Sequence, residues 1–399
     1  MKRVLILDTP SRFTRFGGEQ RMAGLLYRGI SKRFKTYYLG SETAYLKTDQ
    51  NSFILPHVEG GKRSSLYDST LVRMVYYLVH IRGLRYLKDY IGKIDEWLDR
   101  IKPEVIIENS VQDYRLSSLI TKRFPKAKRI YIDHGSISTL DKGSVLDKHN
   151  IPLSIGTGLS GLSLDRIKRN FFESFDLCVG LNMEQYRAIK EYTDKAAYIP
   201  NGIEKPISVN ERQRKRIMER YGIGSGDFVV LNIGRMFERQ KNVSTLIKAF
   251  MRTKEDKMKL VLVGTGPDQA YYKSLAASDG RIIFLGTLSE EELSAMYYVS
   301  SLFVLPSIWE GFPLTLLEAA NHGVPIILST NTYFDDFKRR GIKIDTFDPY
   351  SEAQISKMIV SYFESQKKRV SATKESVKIS RAFSLDSMMK KYVAQMEKL

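Results

Sequence analysis

The second half of the chain repeats one pattern: a short apolar run, a loop rich in glycine or proline, then a stretch with helical spacing. The runs are 228–233 (FVVLNI), 259–263, 281–285, 301–305 and 325–328. Apolar runs of this length bounded by turn residues read as buried strands. Strands that alternate with helices imply a parallel sheet with right-handed crossovers. The first half shows the same grammar at 4–7, 36–39, 103–108, 130–132 and 175–180. A chain of 399 residues is long enough for two domains of ordinary size. The expected fold class is therefore α/β, with two Rossmann-like parallel-sheet domains facing a cleft.

In such sheets, loops at the carboxyl ends of the strands face the ligand crevice. The chemistry is sought there. After 301–305 comes Pro306–Gly323, PSIWEGFPLTLLEAANHG. Ser307–Pro313 reads as a loop and Leu314–Asn321 as a helix. A strand entering a helix through such a loop gathers free backbone N–H groups at the positive end of the helix dipole, which suits a phosphate. Glu310 stands in the loop, flanked by Trp309 and Phe312, and Glu318 follows about two turns on. Two carboxylates, aromatics and an anion-binding helix start would suit a sugar nucleotide.

Other strand ends add candidates. Gly234 is followed by Arg235 and, six positions later, Lys241; Arg binds phosphate bidentately and Lys as a point charge. Gly264 follows the next strand, and 285–287 (Leu285, Gly286, Thr287) ends the one after. In the first half, the loop after 4–7 reaches Gly17 and Gly18 before a helix over 21–30, an arrangement that brings backbone near a phosphate or sugar. It lacks G-x-G-x-x-G. The strand at 130–132 ends in Asp133 and His134; a His there can donate a hydrogen bond or assist proton transfer. Asn109 and Ser110 are placed in the same crevice. Asn201-Gly202 is expected to supply positive-φ geometry for a turn. A Gly/Ser-rich stretch over 156–163 reads as a linker, with an acceptor-side loop as the alternative.

Composition narrows the setting. Basic residues number 63 and acidic 45, a net charge of +18, which attracts polyanions. The basic clusters are spread out and match no nucleic-acid module, so no nucleic-acid partner is expected. Contact with an anionic membrane surface and plain solvated charge remain two readings of them. The tyrosine- and arginine-rich stretch 71–98 has helical spacing and could serve either. The single cysteine, Cys178, reads as a core thiol in a reducing compartment. The apolar part of the first residues is too short for a signal peptide and no run approaches a membrane span, so the expected location is cytoplasmic, with peripheral contact at the inner face of the membrane.

Glu310 and Glu318, set in P-S-x-x-E-G-F-P-x-x-x-L-E-A, resemble the E-x7-E element of retaining GT-B glycosyltransferases, and glycosyltransferase family 4 most of all. Arg235 and Lys241, in G-R-x5-K before N-V-x-x-L-I-x-A-F, resemble that family's diphosphate-binding segment. Gly17-Gly18 matches its glycine-rich first loop, and His134 the histidine many GT-B enzymes carry near the sugar donor. Residues 197–203 (AYIPNGI) resemble the segment closing the first domain. The likeness divides the chain into an acceptor-side domain, 1–203 with 383–399, whose last helix crosses back, and a nucleotide-sugar domain, 204–382. Leu385 stands where many members have Trp.

The resemblance implies a retaining transfer of a sugar from a UDP- or GDP-sugar, UDP favoured, to a glycan or lipid-linked glycan in surface polysaccharide or glycoconjugate synthesis. It implies that Arg235 and Lys241 neutralise the leaving diphosphate, worth about 3 kcal/mol per well-placed donor. Glu310 holds the sugar with the N–H groups of Gly311, Phe312 and Leu314 beside Pro313. Glu318 accepts from the ribose, and the base lies near Leu285 and Thr287. Asp-x-Asp is absent, and no required metal or cofactor is expected. No covalent nucleophile is assigned. The alternatives are an epimerase or phosphorylase on the same fold and, less favoured, a basic nucleic-acid binder.

Overall fold

A computed structural model describes residues 1–8, 17–41, 46, 49–55, 92–110, 114–134, 164–332 and 334–399. Most of the 71–98 stretch and all of 156–163 lie outside these residues; 92–101 is helical. The chain forms two compact units. The first comprises Met1–Val179, Ile189–Ala197 and Tyr392–Leu399; the second comprises Gly180–Ala188 and Tyr198–Lys391.

The first unit is built on a seven-stranded sheet. Its strands are Arg3–Asp8 (β1), Lys35–Ser41 (β2), Ser52–Leu55 (β3), Val105–Ser110 (β4), Lys128–Asp133 (β5), Leu177–Gly180 (β6) and Ala196–Tyr198 (β7), in the order β3-β2-β1-β4-β5-β6-β7. β1 pairs in parallel with β2 and with β4. Val4, Leu5, Ile6 and Leu7 are fully buried, as a central strand covered on both faces requires. Cys178 is a core thiol: its Sγ donates to Phe172 O at 3.4 Å, among the rings of Tyr131, Phe171 and Phe175, and burial pushes its pKa up. The helix Leu385–Lys398 ends in this unit, where Lys2 Nζ donates to Met396 O at 2.9 Å.

The second unit holds a six-stranded parallel sheet. Its strands are Phe228–Ile233 (β8), Met258–Val263 (β9), Ile282–Gly286 (β10), Leu302–Leu305 (β11), Ile326–Ser329 (β12) and Asp345–Phe347 (β13), ordered β10-β9-β8-β11-β12-β13. The helix Glu290–Val299 starts on a capping box, Ser289 with Glu292.

In each sheet the strand order reverses once, between β1 and β4 and between β8 and β11. Such a point opens a crevice at the carboxyl ends of the strands. At the second, backbone pairing stops at Phe303↔Leu231, and the Asn232 side chain carries the link onward by donating to Val304 O at 2.9 Å.

Two glycines are explained by backbone approach. Gly264 has φ +129°, and a Cβ there would lie 2.0 Å from Gly234 O. Gly264→Ala should therefore destabilise the second unit by about 3 kcal/mol or more, read as a fall in its urea midpoint. Gly202 corrects an expectation: neither Asn201 nor Gly202 has positive φ. The glycine is required because a Cβ would meet Ser384 O at 2.4 Å, beside the Ile203↔Ser384 bridge.

Candidate functional site

Two loops leave the strands that flank the reversal point of the second sheet. The first runs from Gly234 through the short helix Glu238–Lys241 to Asn242, and the second is 306–313. Asn242 joins them. It ends the short helix in the left-handed region, φ +50°, and its Nδ2 donates to Pro306 O at 3.2 Å and Pro349 O at 2.6 Å. Asn tolerates this conformation better than other residues with a Cβ. Ile308 N also donates to Gln240 O at 2.8 Å, so the loops are tied by backbone as well.

That tie brings Lys241 to Glu310. Lys241 Nζ and Ser307 Oγ both donate to Glu310 Oε1, at 2.6 and 2.7 Å. The ion pair is largely shielded, with side-chain exposures of 20% for Lys241 and 7% for Glu310. Ser307 is itself fully buried and its carbonyl accepts from Ser329 Oγ at 2.6 Å. The Lys241 stem passes Gly234, whose missing Cβ would lie 3.7 Å from Lys241 Cε. Arg235, two residues beyond β8, sets its guanidinium 5.3 Å from the Phe237 ring centre.

The helix after the second loop, Leu314–Asn321, starts at Pro313 with no side-chain cap and no acidic residue in its first turn. This differs from the side-chain caps at Asn210, Ser289 and Ser351 in the same unit. Its first N–H groups are not claimed by a side chain at the cap and can meet an anion. Phe312 is 4% exposed and packs on Phe334, Phe337 and Phe383, so its ring anchors the loop and leaves recognition to its backbone. Trp309 is on the surface.

Glu318 is buried on the second turn of this helix, and its Oε2 accepts from Tyr297 OH at 2.7 Å. Tyr297 stacks on His322, whose ring bonds Ser294 Oγ and Glu318 O. Gly264 and Leu285 lie at the ends of β9 and β10, and Thr287 is exposed just beyond. Gly264 is tied to the strand ends, its N donating to Gly286 O at 2.7 Å. The structure thus places Arg235, Lys241, Gly264, Leu285, Thr287, Glu310–Leu314 and Glu318 in loops and elements of one sheet and one unit.

The first unit has its own polar cluster at its reversal point. Asp8 ends β1, Asn109 lies near the end of β4, and His134 follows β5. Asn109 Nδ2 donates to Asp8 Oδ1 at 3.1 Å and to Glu19 O at 2.9 Å. With both N–H bonds spent on acceptors, Asn109 Oδ1 faces His134 Nε2 at 3.2 Å, so Nε2 carries the proton and Nδ1 is the acceptor. Burial lowers the His134 pKa and keeps the ring neutral. Burial raises the Asp8 pKa from 3.8 to about 7, against the bonds from Asn109 and Tyr38 and helped by the charge of Glu19. Asp133 is also fully buried. Gly17 precedes the helix Gly18–Ile30 in extended geometry, and a Cβ at Gly18 would meet nothing within 4 Å. Packing among the described residues thus does not explain that glycine.

Sequence reasoning had overlooked Asp8, Asn242 and Ser307. Asp8 carried a signal, a carboxylate closing an otherwise apolar strand. Asn242 and Ser307 act through geometry that residue type alone does not reveal. Among the described residues, no group of His, Cys, Asp and Glu could hold a metal, and no helix is long and apolar enough to cross a membrane.

Residues 213–378 match the family model of glycosyl transferases group 1. An uncharacterised glycosyltransferase of Methanocaldococcus jannaschii is 29% identical over 144 residues, 34% of this chain and 37% of that protein. The alpha-galactosylglucosyldiacylglycerol synthase of Streptococcus pneumoniae is 29% identical over 146 residues, 34% of this chain and 38% of its own length. The chain thus spans less than two fifths of these relatives. In fold it is similar over its whole length to Anabaena HepE, solved with UDP and glucose, at a TM-score of 0.71 and 14% identity, each chain being covered in full. The fold is GT-B: two parallel-sheet α/β domains, as the sequence implies.

Proposed function

We propose that this chain is a retaining, metal-independent glycosyltransferase of family 4 that moves a sugar from a UDP-sugar to a glycan or lipid-linked acceptor. One observation carries the reading. The Lys241–Glu310 pair is held at the reversal point of the second sheet, in the loop that also carries Arg235 and ahead of a helix start without a side-chain cap, inside the segment that matches the group 1 model.

The chemistry follows from those groups. The bond from the sugar's anomeric carbon to the diphosphate oxygen breaks, and the acceptor oxygen bonds to that carbon on the same face. The acceptor's proton passes to a phosphate oxygen of the leaving group, so no protein nucleophile is needed. Arg235, Lys241 and the N–H groups after Pro313 stabilise the charge that gathers on the diphosphate. Glu310, fixed by Lys241 and Ser307, accepts from sugar hydroxyls, and Glu318 from the ribose. Neutral His134 offers Nδ1 as an acceptor to a hydroxyl. Leu285 and Thr287 would border the base, and Gly17 and Gly18, matching the family's glycine-rich first loop, would approach the diphosphate.

UDP is favoured over GDP because Anabaena HepE was solved with UDP, with UDP-glucose, and with UDP and glucose. A lipid-linked acceptor is supported by relatives named as diacylglycerol glycoside synthases and by the net charge of +18, which would hold the protein against an anionic membrane surface at the inner face of the cell membrane. The proposed domains are 1–203 with 383–399 for the acceptor and 204–382 for the sugar donor.

Radiolabelled UDP- and GDP-sugars with a panel of glycan and lipid acceptors, in EDTA, test the reading. Transfer with retention at the anomeric carbon is expected. Folded protein that neither transfers nor hydrolyses any sugar donor would overturn it. Conversion of a sugar nucleotide into its epimer without acceptor, seen by NMR, would favour the epimerase instead.

A further inference from the structure

Residues Gly180–Ala188 come from the first half of the sequence yet cluster with the second unit. There Asn182 does two things with one side chain. Its Oδ1 accepts from Gln185 N at 2.8 Å, which caps the helix Met183–Lys190. Its Nδ2 donates to Gly311 O at 2.6 Å, in the loop after β11. The next carbonyl, Phe312 O, is held at 2.7 Å by Asn201 Nδ2. Both asparagines are buried, at 2% and 3% exposure.

The consequence is geometric. In a trans peptide the C=O of one residue and the N–H of the next point in opposite directions. A bond that draws Gly311 O toward Asn182 therefore turns the Phe312 N–H away from it. The following carbonyl is fixed by Asn201, and Pro313 has no N–H, so two successive peptide planes are set by two asparagine side chains. The buried Phe312 ring is the pivot on which they turn.

We propose that Asn182 is a positioning residue, which aims the Phe312 N–H at a hydroxyl of the transferred sugar through its grip on Gly311 O. This rests on the donor-site reading above and adds to it a residue from outside the segment that matches the family model, 213–378.

The two roles of Asn182 can be separated. Asn182→Asp keeps an oxygen to cap the helix and loses the N–H that holds Gly311 O; Asn182→Ala loses both. Hydrogen exchange is measured first, without ligand. In Asn182→Asp the amides of 311–316 should exchange faster than in the wild type, while those of 184–190 stay unchanged. In Asn182→Ala both sets should quicken. Unchanged exchange at 311–316 in Asn182→Asp overturns the proposal. UDP and UDP-glucose binding are then compared. Asn182→Asp should bind UDP like the wild type and UDP-glucose about tenfold more weakly, the size of one lost hydrogen bond to the sugar. Equal losses for both ligands, or for neither, overturn the sugar-aiming role. Wild-type protein that binds neither sinks the donor-site reading instead, and the exchange result still decides whether Asn182 sets the loop.

Discussion

Lys241→Met should lower transfer by about 100- to 1,000-fold and also destabilise the second unit, and the two losses should be separable. The activity loss is that of one cation removed from the charge developing on the diphosphate. The stability loss has another origin. Glu310 is 7% exposed in its side chain, and its Oε1 takes both the Lys241 ammonium and the Ser307 hydroxyl. Without the ammonium a shielded carboxylate keeps, among the described residues, only Ser307, and breaking a buried pair costs about 3 kcal/mol, the low end of the range because Lys241 is one-fifth exposed. Adding Glu310→Gln removes the stranded charge, and the Ser307 hydroxyl can still donate to the amide oxygen. The double variant should therefore recover most of the unfolding midpoint and none of the activity. Urea unfolding and initial rates on the four members of this cycle check it. A Lys241→Met enzyme within about threefold of wild type would remove Lys241 from the transition state, since a positioned cation is worth far more than that. Arg235→Ala, on the same loop, should lose turnover in the same range.

Much of this site was legible because its residues sit where strand-loop-helix grammar puts them. The helix Leu314–Asn321 and the β8 strand Phe228–Ile233 were readable to the residue, since Pro and Gly punctuate both. The capping box at Ser289 could be read from S-x-x-E. The strands Ser52–Leu55 and Asp345–Phe347 were not, because each is short and at a sheet edge, where little apolar patterning is needed. Asn201-Gly202 was misread for a physical reason: an N-G pair is the usual mark of positive φ, but here the glycine answers a close crossing by Ser384, 182 residues away in sequence. The Lys241–Glu310 contact spans 69 residues and is produced by Asn242 and Gln240 holding two loops together, which no local window reveals. Asn182 is further still from its partner, at 129 residues.

Asp8→Asn should stabilise the first unit at alkaline pH and lose that advantage in acid, and the sign is set by burial. Asp8 is 1% exposed, and its folded pKa stands at about 7 against an ordinary 3.8, burial being the largest cause. Below about pH 4 the carboxyl is protonated both folded and unfolded, and its ionisation costs the fold nothing. Between about 4 and 7 the unfolded chain ionises while the folded one holds its proton, so the native state loses ground as pH rises. Above about 7 the folded group is ionised too, and the penalty levels off at about 4 kcal/mol. An amide at this position carries no charge to bury. It keeps an oxygen for Asn109 Nδ2, and its own N–H can meet the Tyr38 hydroxyl, which now donates to Asp8 Oδ2 at 3.2 Å. Neighbouring Glu19, whose charge helps to raise the Asp8 pKa, should matter less in the variant. Hydrogen exchange of the β1 and β4 amides in urea at pH 5 and pH 8 reads the local stability. The variant's advantage should grow by about 2.5 kcal/mol from pH 5 to pH 8, somewhat over half of the full penalty. An advantage that does not change with pH would mean that Asp8 is ionised throughout, and that water or a group outside the described residues reaches it in the folded protein.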